Sequence, residues 1–180
     1  MARNIEIKAR IEGIEALLPK LAALADEGPI EILQDDWFFG CESGRLKLRA
    51  FSDAEGQLIF YRRPDQLGPK ESFYAISPTG SPDSLRETLS LAYGTIGRLR
   101  KHRTLFMIGR TRVHLDRVDG LGQFLELEVV LENQETAASG TAVAQELMAD
   151  LGIEPSQLVE GLIILICSLT AAAKGSVERT

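Results

Sequence analysis

The stretch Asn4-Ile5-Glu6-Ile7-Lys8-Ala9-Arg10-Ile11-Glu12 alternates apolar and polar side chains without a break. A period of two predicts a β-strand, because successive side chains of a strand point to opposite faces of the sheet. One face of this strand is apolar, and the other carries charges of both signs. We therefore expect a sheet with one face packed against a core and the other face charged.

Other predicted strands repeat a charged face, but on most of them one sign predominates. Arg45, Lys47 and Arg49 share one face of a strand at 45–51, and residues 98–117 contain seven basic side chains. By contrast, residues 118–173 contain nine acids and no Lys or Arg, with Glu126 and Glu128 on one face of a strand at 123–132. The charged faces are therefore sorted by sign along the chain.

The pattern as a whole predicts an α+β fold in one domain spanning 1–180. Seven or eight strands are expected, mostly joined by short turns, which favours an antiparallel sheet. The predicted strands are 4–12, 30–39, 45–51, 57–63, 70–76, 97–108, 111–118 and 123–132. The predicted helices are 13–25, 83–93 and 140–151, with another helix or helix–strand end at 155–172.

Sorted charges allow two interpretations. Like charges at alternate positions of a strand lie about 7 Å apart and repel, so opposite charges should face them. Either solvated strands exchange cross-strand salt bridges, or the sheet closes into a barrel whose charged faces line a polar tunnel. In such a tunnel, clustered Arg and Lys suit a polyphosphate, and Glu126 with Glu128 suits a hard divalent cation.

Composition limits the classes of partner. The chain has 180 residues, with 20 Lys and Arg against 26 Asp and Glu, for a net charge of −6. An acidic balance argues against general binding to nucleic acid, which needs a basic face. The longest apolar stretch, 162–167, reaches only 12 residues when extended to 173, too short to span a bilayer. With two well-separated cysteines and no signal-peptide pattern, we expect a cytoplasmic protein.

Five segments in order resemble the CYTH superfamily, also called the triphosphate tunnel metalloenzymes. They are Ile5-Glu-Ile-Lys, Gly44-Arg-Leu-Lys-Leu-Arg, Leu58-Ile-Phe-Tyr-Arg-Arg-Pro-Asp, Lys101-His-Arg-Thr-Leu-Phe and the segment from His114 to Glu128. The resemblance covers residues 4 to about 130. It implies an antiparallel eight-stranded β-barrel that forms a tunnel, with flanking helices.

The resemblance also implies a set of site residues. Catalytic roles are implied for Glu6, Lys8, Glu126 and Glu128. Mg²⁺ or Mn²⁺ is implied as the cofactor, with the ligands Glu6, Asp116, Glu126 and Glu128. The triphosphate would be held by Lys8, Arg45, Lys47, Arg49, Arg62, Lys101 and Arg103, with Lys70 as a weaker candidate. We expect Arg63, next to Arg62, to meet solvent.

One residue departs from the family pattern, because Asn4 stands where the first glutamate of the signature is expected. An amide offers a carbonyl oxygen but no charge, so metal affinity should fall unless another group substitutes. Three functions stay open: a metal-dependent triphosphatase, which we favour, a class IV-like adenylyl cyclase, and a polyphosphate-binding module without catalysis. His114 is expected to be a hydrogen-bonded structural histidine rather than a base, and a homodimer is possible.

Overall fold

A computed structural model describes residues 2–160. Within this range the chain forms eight strands and three α-helices. In chain order they are β1 (Ala2–Ile11), α1 (Leu18–Leu24), β2 (Glu27–Phe39), β3 (Arg45–Ser52), β4 (Glu55–Arg62), β5 (Lys70–Thr79), α2 (Pro82–Tyr93), β6 (Thr95–Ile108), β7 (Thr111–Val118), β8 (Gly122–Val130) and α3 (Ala137–Leu151). A short 3₁₀ turn follows at Pro155–Gln157.

The eight strands close into an antiparallel barrel in the order β1-β5-β4-β3-β2-β6-β7-β8. β1 seals it, because it pairs with β5 on one side and β8 on the other. Closure leaves no free sheet edge, so the inner faces of all eight strands share one enclosed lumen. The predicted α+β fold with a closed eight-stranded barrel is confirmed.

The main hydrophobic core lies outside the barrel wall. The apolar face of β1, with Ile5 and Ile7, is fully buried together with the outer faces of β7 and β8 under α1 and α3. A side chain at Gly140 of α3 would lie within 2.7 Å of Ile5, so glycine allows this helix to approach the sheet closely. Core formation on the outside leaves the charged faces for the lumen.

A second apolar layer covers the opposite wall. Leu89 of α2 packs with Leu48 of β3 and Phe39 of β2. None of the helices in residues 2–160 is long and apolar enough to cross a membrane.

The element bounds differ from the predicted ones in a few places. α1 begins at Leu18 rather than at residue 13, because Pro19 fits only the first turn of a helix, where no backbone donor is needed. β2 begins three residues earlier than predicted, at Glu27. Of the predicted 155–172 segment, residues 155–157 form the 3₁₀ turn and Leu158 bridges to Ala9, whereas the apolar stretch 162–173 lies outside the described residues.

Candidate functional site

The lumen holds a cavity of about 310 Å³ lined mainly by polar and charged side chains. Among the residues described, seven cationic and four acidic side chains line it, so the wall has an excess of positive charge. The cations are Lys8, Lys47, Arg49, Arg63, Lys101, Arg103 and Arg112, and the acids are Glu6, Asp36, Glu126 and Glu128. An anionic ligand therefore suits this cavity.

Asp36 of β2 holds two cations of β3. Its carboxylate accepts hydrogen bonds from Lys47 Nζ at 2.9 Å and from the Nε and Nη2 atoms of Arg49, both at 2.8 Å. The register that pairs Asp36 with Arg49 brings them together. Burial alone would raise the pKa of Asp36, but Arg49 and Lys47 outweigh it and hold that pKa far below its ordinary value. The carboxylate stays ionised and fixes both cations beside the cavity.

Asp116 of β7 forms a matching group on the other wall with two cations of β6. It accepts from Arg103 Nε at 2.6 Å, Arg103 Nη2 at 2.7 Å and Lys101 Nζ at 3.0 Å. Asp116 is fully buried and does not line the cavity. Burial and the neighbouring Arg103 charge lower the pKa of Lys101 to about 7, despite the attraction of Asp116. Each of these two groups carries one carboxylate and two cations, which leaves a net positive charge when the lysine is protonated.

Glu126, Glu128 and His114 form a third cluster. One ligand atom from each lies within 4.8 Å of the others. His114 Nδ1 lies 3.6 Å from Glu126 Oε1 and 3.9 Å from Glu128 Oε1, and has no hydrogen-bond partner among the residues described. Burial would raise the pKa of Glu126, but Lys8 and Arg103 hold it well below its usual value. Two carboxylates and an unpartnered imidazole nitrogen are donors that fit a divalent cation.

Glu6 of β1 lies beside this cluster. It pairs across the barrel seam with Glu128 of β8, and its carboxylate forms an ion pair with the guanidinium of Arg63. Two residues earlier, Asn4 is buried in the same wall, and its Oδ1 has no partner within residues 2–160. Glu6 thus adds a carboxylate next to Glu128, and Asn4 adds an amide oxygen to the wall of the same cavity.

The structure brings most of the sequence-predicted site residues to the cavity. These are Glu6, Lys8, Lys47, Arg49, Lys101, Arg103, Glu126 and Glu128. Arg45 is half-buried, does not line the cavity, and pairs with Asp65 of the β4–β5 loop. Lys70 is buried and donates to the Gln66 carbonyl, with a pKa that burial, Arg63 and Lys8 lower to about 8.

The prediction for Arg62 and Arg63 is wrong, because their orientations are reversed. Arg62 is exposed and its guanidinium lies over Phe60 on the outer face, whereas Arg63 lines the cavity and pairs with Glu6. β4 turns Gln57, Ile59 and Tyr61 inward, and Arg63 continues that face. His114, predicted to be a hydrogen-bonded structural histidine, is buried on the cavity wall, and its Nδ1 has no partner within hydrogen-bond distance in the part of the chain described.

Several cavity residues were not predicted to belong to the site. Asp36, Tyr61, Arg63 and Arg112 all line the lumen. Arg112, His114 and Asp116 occupy alternate positions of one strand and so share its charged face. The sequence was therefore enough to identify Arg112 as a candidate site residue. Asp36 carries no such signal, because its role depends on pairing with β3.

The fold and the site place this protein among closed antiparallel β-barrels whose lumen is lined by cations and carboxylates. Residues 2–162 match the family profile described as the CYTH domain. This match covers most of the chain, and the protein therefore belongs to the CYTH family.

Known relatives agree with this assignment. The chain is 24% identical over 163 residues to the adenylate cyclase CyaB of Aeromonas hydrophila, across 86% of this chain and 83% of that protein. A Pyrococcus horikoshii OT3 structure matches with a TM-score of 0.79 at 21% identity, covering 91% and 98% of the two chains. The Hippeastrum protein HpAC1, which shows a dominant triphosphatase activity, matches with a TM-score of 0.61 at 17% identity, covering 88% and 90%. The two structural matches show a shared fold.

Proposed function

We propose that this protein is a metal-dependent phosphohydrolase that binds a triphosphate in the barrel lumen and releases its terminal phosphate. The observation that carries the proposal is the convergence of seven cations and a carboxylate pair on one cavity in the barrel lumen. Triphosphate chemistry needs both, since cations neutralise the phosphate chain and carboxylates hold the ion that accompanies it.

The cations are placed to hold the phosphate chain. Asp36 and Asp116 fix Lys47, Arg49, Lys101 and Arg103 from behind, so these side chains are positioned before the ligand arrives. Preorganised positive groups stabilise the charge that develops on the leaving phosphates at little reorganisation cost. Arginine adds geometric selectivity, because its planar fork can donate two parallel hydrogen bonds to a phosphate.

Lys8 and Arg63 would play a different part. Both are paired with carboxylates of the proposed metal site, Lys8 with Glu126 and Arg63 with Glu6. These ion pairs keep the acids compensated in the free protein. With a divalent ion held by these carboxylates, Lys8 and Arg63 would be free to donate to the phosphate oxygens.

The residues present fit a divalent metal. Glu126 and Glu128 would hold it, with Glu6 as a neighbouring oxygen ligand, whereas Asp116 is already engaged by Arg103 and Lys101. When bound, a divalent ion supplies charge neutralisation at phosphate oxygens and Lewis acidity toward the attacking water. The closed wall limits access of bulk water to the phosphates, which strengthens every charge interaction inside.

The cavity volume favours the phosphate chain as the enclosed part of the substrate. About 310 Å³ is at the low end of the range, about 300–1,000 Å³, of sites that bury a drug-sized ligand. Tyr74 and Ile76 of β5 also line the cavity, and the 47% exposure of Ile76 places this residue at its solvent-facing margin. An organic group attached to the triphosphate could contact this partly apolar margin.

The second candidate is a class IV-like adenylyl cyclase, which the similarity to Aeromonas CyaB favours. The same lumen would hold ATP with its ribose 3′-hydroxyl directed at the α-phosphorus, and pyrophosphate would leave. The cations and carboxylates serve both reactions, because negative charge develops on a phosphate chain in each of them. The cations neutralise that charge directly, and the carboxylates would hold the metal ion that does the same.

One assay separates the two reactions. The purified protein is incubated with tripolyphosphate, ATP or thiamine triphosphate, with Mg²⁺ or Mn²⁺ in each case. Orthophosphate release supports hydrolysis, cyclic AMP with pyrophosphate supports the cyclase, and thermal stabilisation by tripolyphosphate without turnover supports a binding module. The absence of products and of stabilisation with all three compounds would contradict the proposal.

A further inference from the structure

We infer that His114 is a ligand of the metal proposed above, and that its nitrogen makes this site prefer Mn²⁺ to Mg²⁺. The inference rests on the proposed function only in its use of the same metal site. It assigns an imidazole ligand to a site otherwise made of carboxylates, and it names the ion that such a site selects.

The hydrogen bonds divide the carboxylate oxygens into two sets. Glu126 Oε2 pairs with Lys8, and Glu128 Oε2 accepts from Arg112 Nε at 2.8 Å. The Oε1 atoms of both glutamates instead face His114 Nδ1, at 3.6 and 3.9 Å. Glu126 Oε1 has one further neighbour, Arg103 Nη2, at 3.4 Å. The atoms that face the imidazole are thus the ones less engaged by cations.

These separations suit ligands of one ion. Bonds of about 2.0–2.2 Å to nitrogen and oxygen place two ligands of the same ion roughly 3 to 4.4 Å apart. The two measured distances from Nδ1 fall in this range, although they are too long for hydrogen bonds. The spacing is therefore better matched to a shared ion than to direct contact.

The burial of His114 points the same way. The residue is only 4% exposed and lines the cavity, yet Nδ1 has no hydrogen-bond partner within the described chain. A buried polar atom without a partner costs free energy, so such atoms are rare in stable folds. A metal ion bound between Nδ1 and the two carboxylates would remove this cost.

An imidazole among the ligands changes which ion is preferred. Mg²⁺ favours oxygen ligands and keeps much of its water, whereas transition-metal dications accept imidazole readily. Mn²⁺ takes carboxylate oxygens as Mg²⁺ does, but as a first-row transition-metal ion it also gains from a nitrogen ligand, whereas Mg²⁺, which gives up its water reluctantly, gains little. Asn4 contributes no charge on this wall, which increases the share of binding that depends on the nitrogen.

The direct test is pulsed electron paramagnetic resonance of Mn²⁺ bound to the tag-free, metal-stripped protein. The chain has two histidines, so an imidazole ¹⁴N coupling can come only from His114 or His102. His102 lies on the outer face with a side chain 44% exposed and pairs with Glu31, which makes His102→Gln the matched control. We expect the ¹⁴N coupling in the wild type and in His102→Gln, and its loss in His114→Gln.

Because His102 lies on the outer face, the His102→Gln variant leaves the lumen unchanged. The test therefore does not depend on whether His114→Gln folds. Absence of the coupling in both the wild type and His102→Gln, with Mn²⁺ bound, would overturn the inference. Persistence of the coupling in a folded His114→Gln protein would also overturn it, because the nitrogen would then belong to another residue.

Metal titration calorimetry without triphosphate tests the selectivity. His114→Gln should weaken Mn²⁺ binding by about tenfold or more and change Mg²⁺ binding much less, since a lost ligand costs at least as much as a lost outer-shell partner. Equal losses for the two ions would overturn the selectivity. A protein that shows the ¹⁴N coupling but neither binds nor cleaves a triphosphate would refute the proposed function and leave the role of His114 standing.

Discussion

The lumen contains two kinds of carboxylate that differ in how fully cations compensate them. Asp36 and Asp116 are each held by two cations and are at most 1% exposed. Glu126 and Glu128 each have one oxygen engaged by a close cation and the other directed at His114. In the proposed function, the first kind positions the cations that hold the phosphate chain, whereas the second kind is available to a metal ion. Residue type alone therefore does not define the role of an acid in this lumen.

The largest effect is expected on stability, from Asp116→Asn. This change removes the counter-ion of buried Lys101 and leaves Arg103 with only the more distant Glu126, and breaking a buried pair costs roughly 3–5 kcal/mol. Urea unfolding measures the loss. The control is Asp35→Asn, which removes an outer-face pair with Arg98 and should cost no more than about 1 kcal/mol. Similar losses for both variants would contradict the positioning role.

Replacing Glu126 and Glu128, the second kind of carboxylate, should affect turnover more than stability. The double change Glu126→Gln and Glu128→Gln should lower metal-dependent phosphate release by more than about a hundredfold, beyond the loss typical of an outer-shell group. The free energy of unfolding should fall less than in Asp116→Asn, because Lys8 and Arg112 face the cavity. Steady-state phosphate release and urea unfolding measure the two quantities. Unchanged turnover would remove both glutamates from the site.

Arg62 and Arg63 are adjacent in the sequence, but Arg63 lines the lumen and Arg62 lies on the outer face of the barrel. Replacing each in turn compares the contribution of the two faces to phosphate binding. Arg63→Gln should weaken metal-free tripolyphosphate binding by about tenfold, or about 1.4 kcal/mol, because it leaves the Glu6 carboxylate uncompensated in the lumen, where it repels the phosphate. Arg62→Gln changes the same residue type one position away, but on the outer face, and should leave the dissociation constant unchanged. Isothermal titration calorimetry provides both constants. Equal effects of the two variants would show that the phosphate does not lie beside Arg63.

The smallest effect concerns the protonation of Lys101, whose pKa in the free protein is about 7. At pH 8.5 this amine is mostly neutral, and a bound anion raises its pKa, so binding should take up part of a proton. At pH 6 the amine is already protonated, and the uptake should be near zero. Titration calorimetry in buffers of different ionisation enthalpy measures the number of protons taken up on binding. Subtracting the number measured for the Lys101→Met variant removes the protons that the ligand itself takes up. Equal uptake by wild type and variant would assign the proton elsewhere.

The same pKa predicts a trend in the stability of the free protein. An unfolded lysine has a pKa of about 10.4, so between pH 7 and 10 the unfolded state holds more protons than the folded state. The contribution of Lys101 to the free energy of unfolding should therefore rise across this window. Urea unfolding of wild type and Lys101→Met across this range would measure it, and parallel pH profiles would contradict the lowered pKa.

Much of the fold and part of the site could be predicted from alternation. In β1 the apolar and charged faces differ so clearly that Glu6 and Lys8 had to share one side, and the outer core fixed which side faced inward. The same contrast placed Lys47 on the inner face, whereas Lys101 was identified from the family resemblance, because β6 carries cations on both faces. Alternation failed at Arg62 and Arg63, because Leu58, Ile59, Phe60 and Tyr61 give β4 apolar character on both faces. The inward face of β4 is set by its register with β3, which pairs Ile59 with Lys47.

Which side chains share a strand face can be read from the sequence, because it follows from the two-residue period of the backbone. Strand pairing and barrel closure decided which faces meet. They brought Asp36 of β2 to Arg49 of β3, and the Oε1 atoms of Glu126 and Glu128 to His114 of β7. These partners come from different strands, and their distances depend on register, a property of the folded chain that no single strand carries.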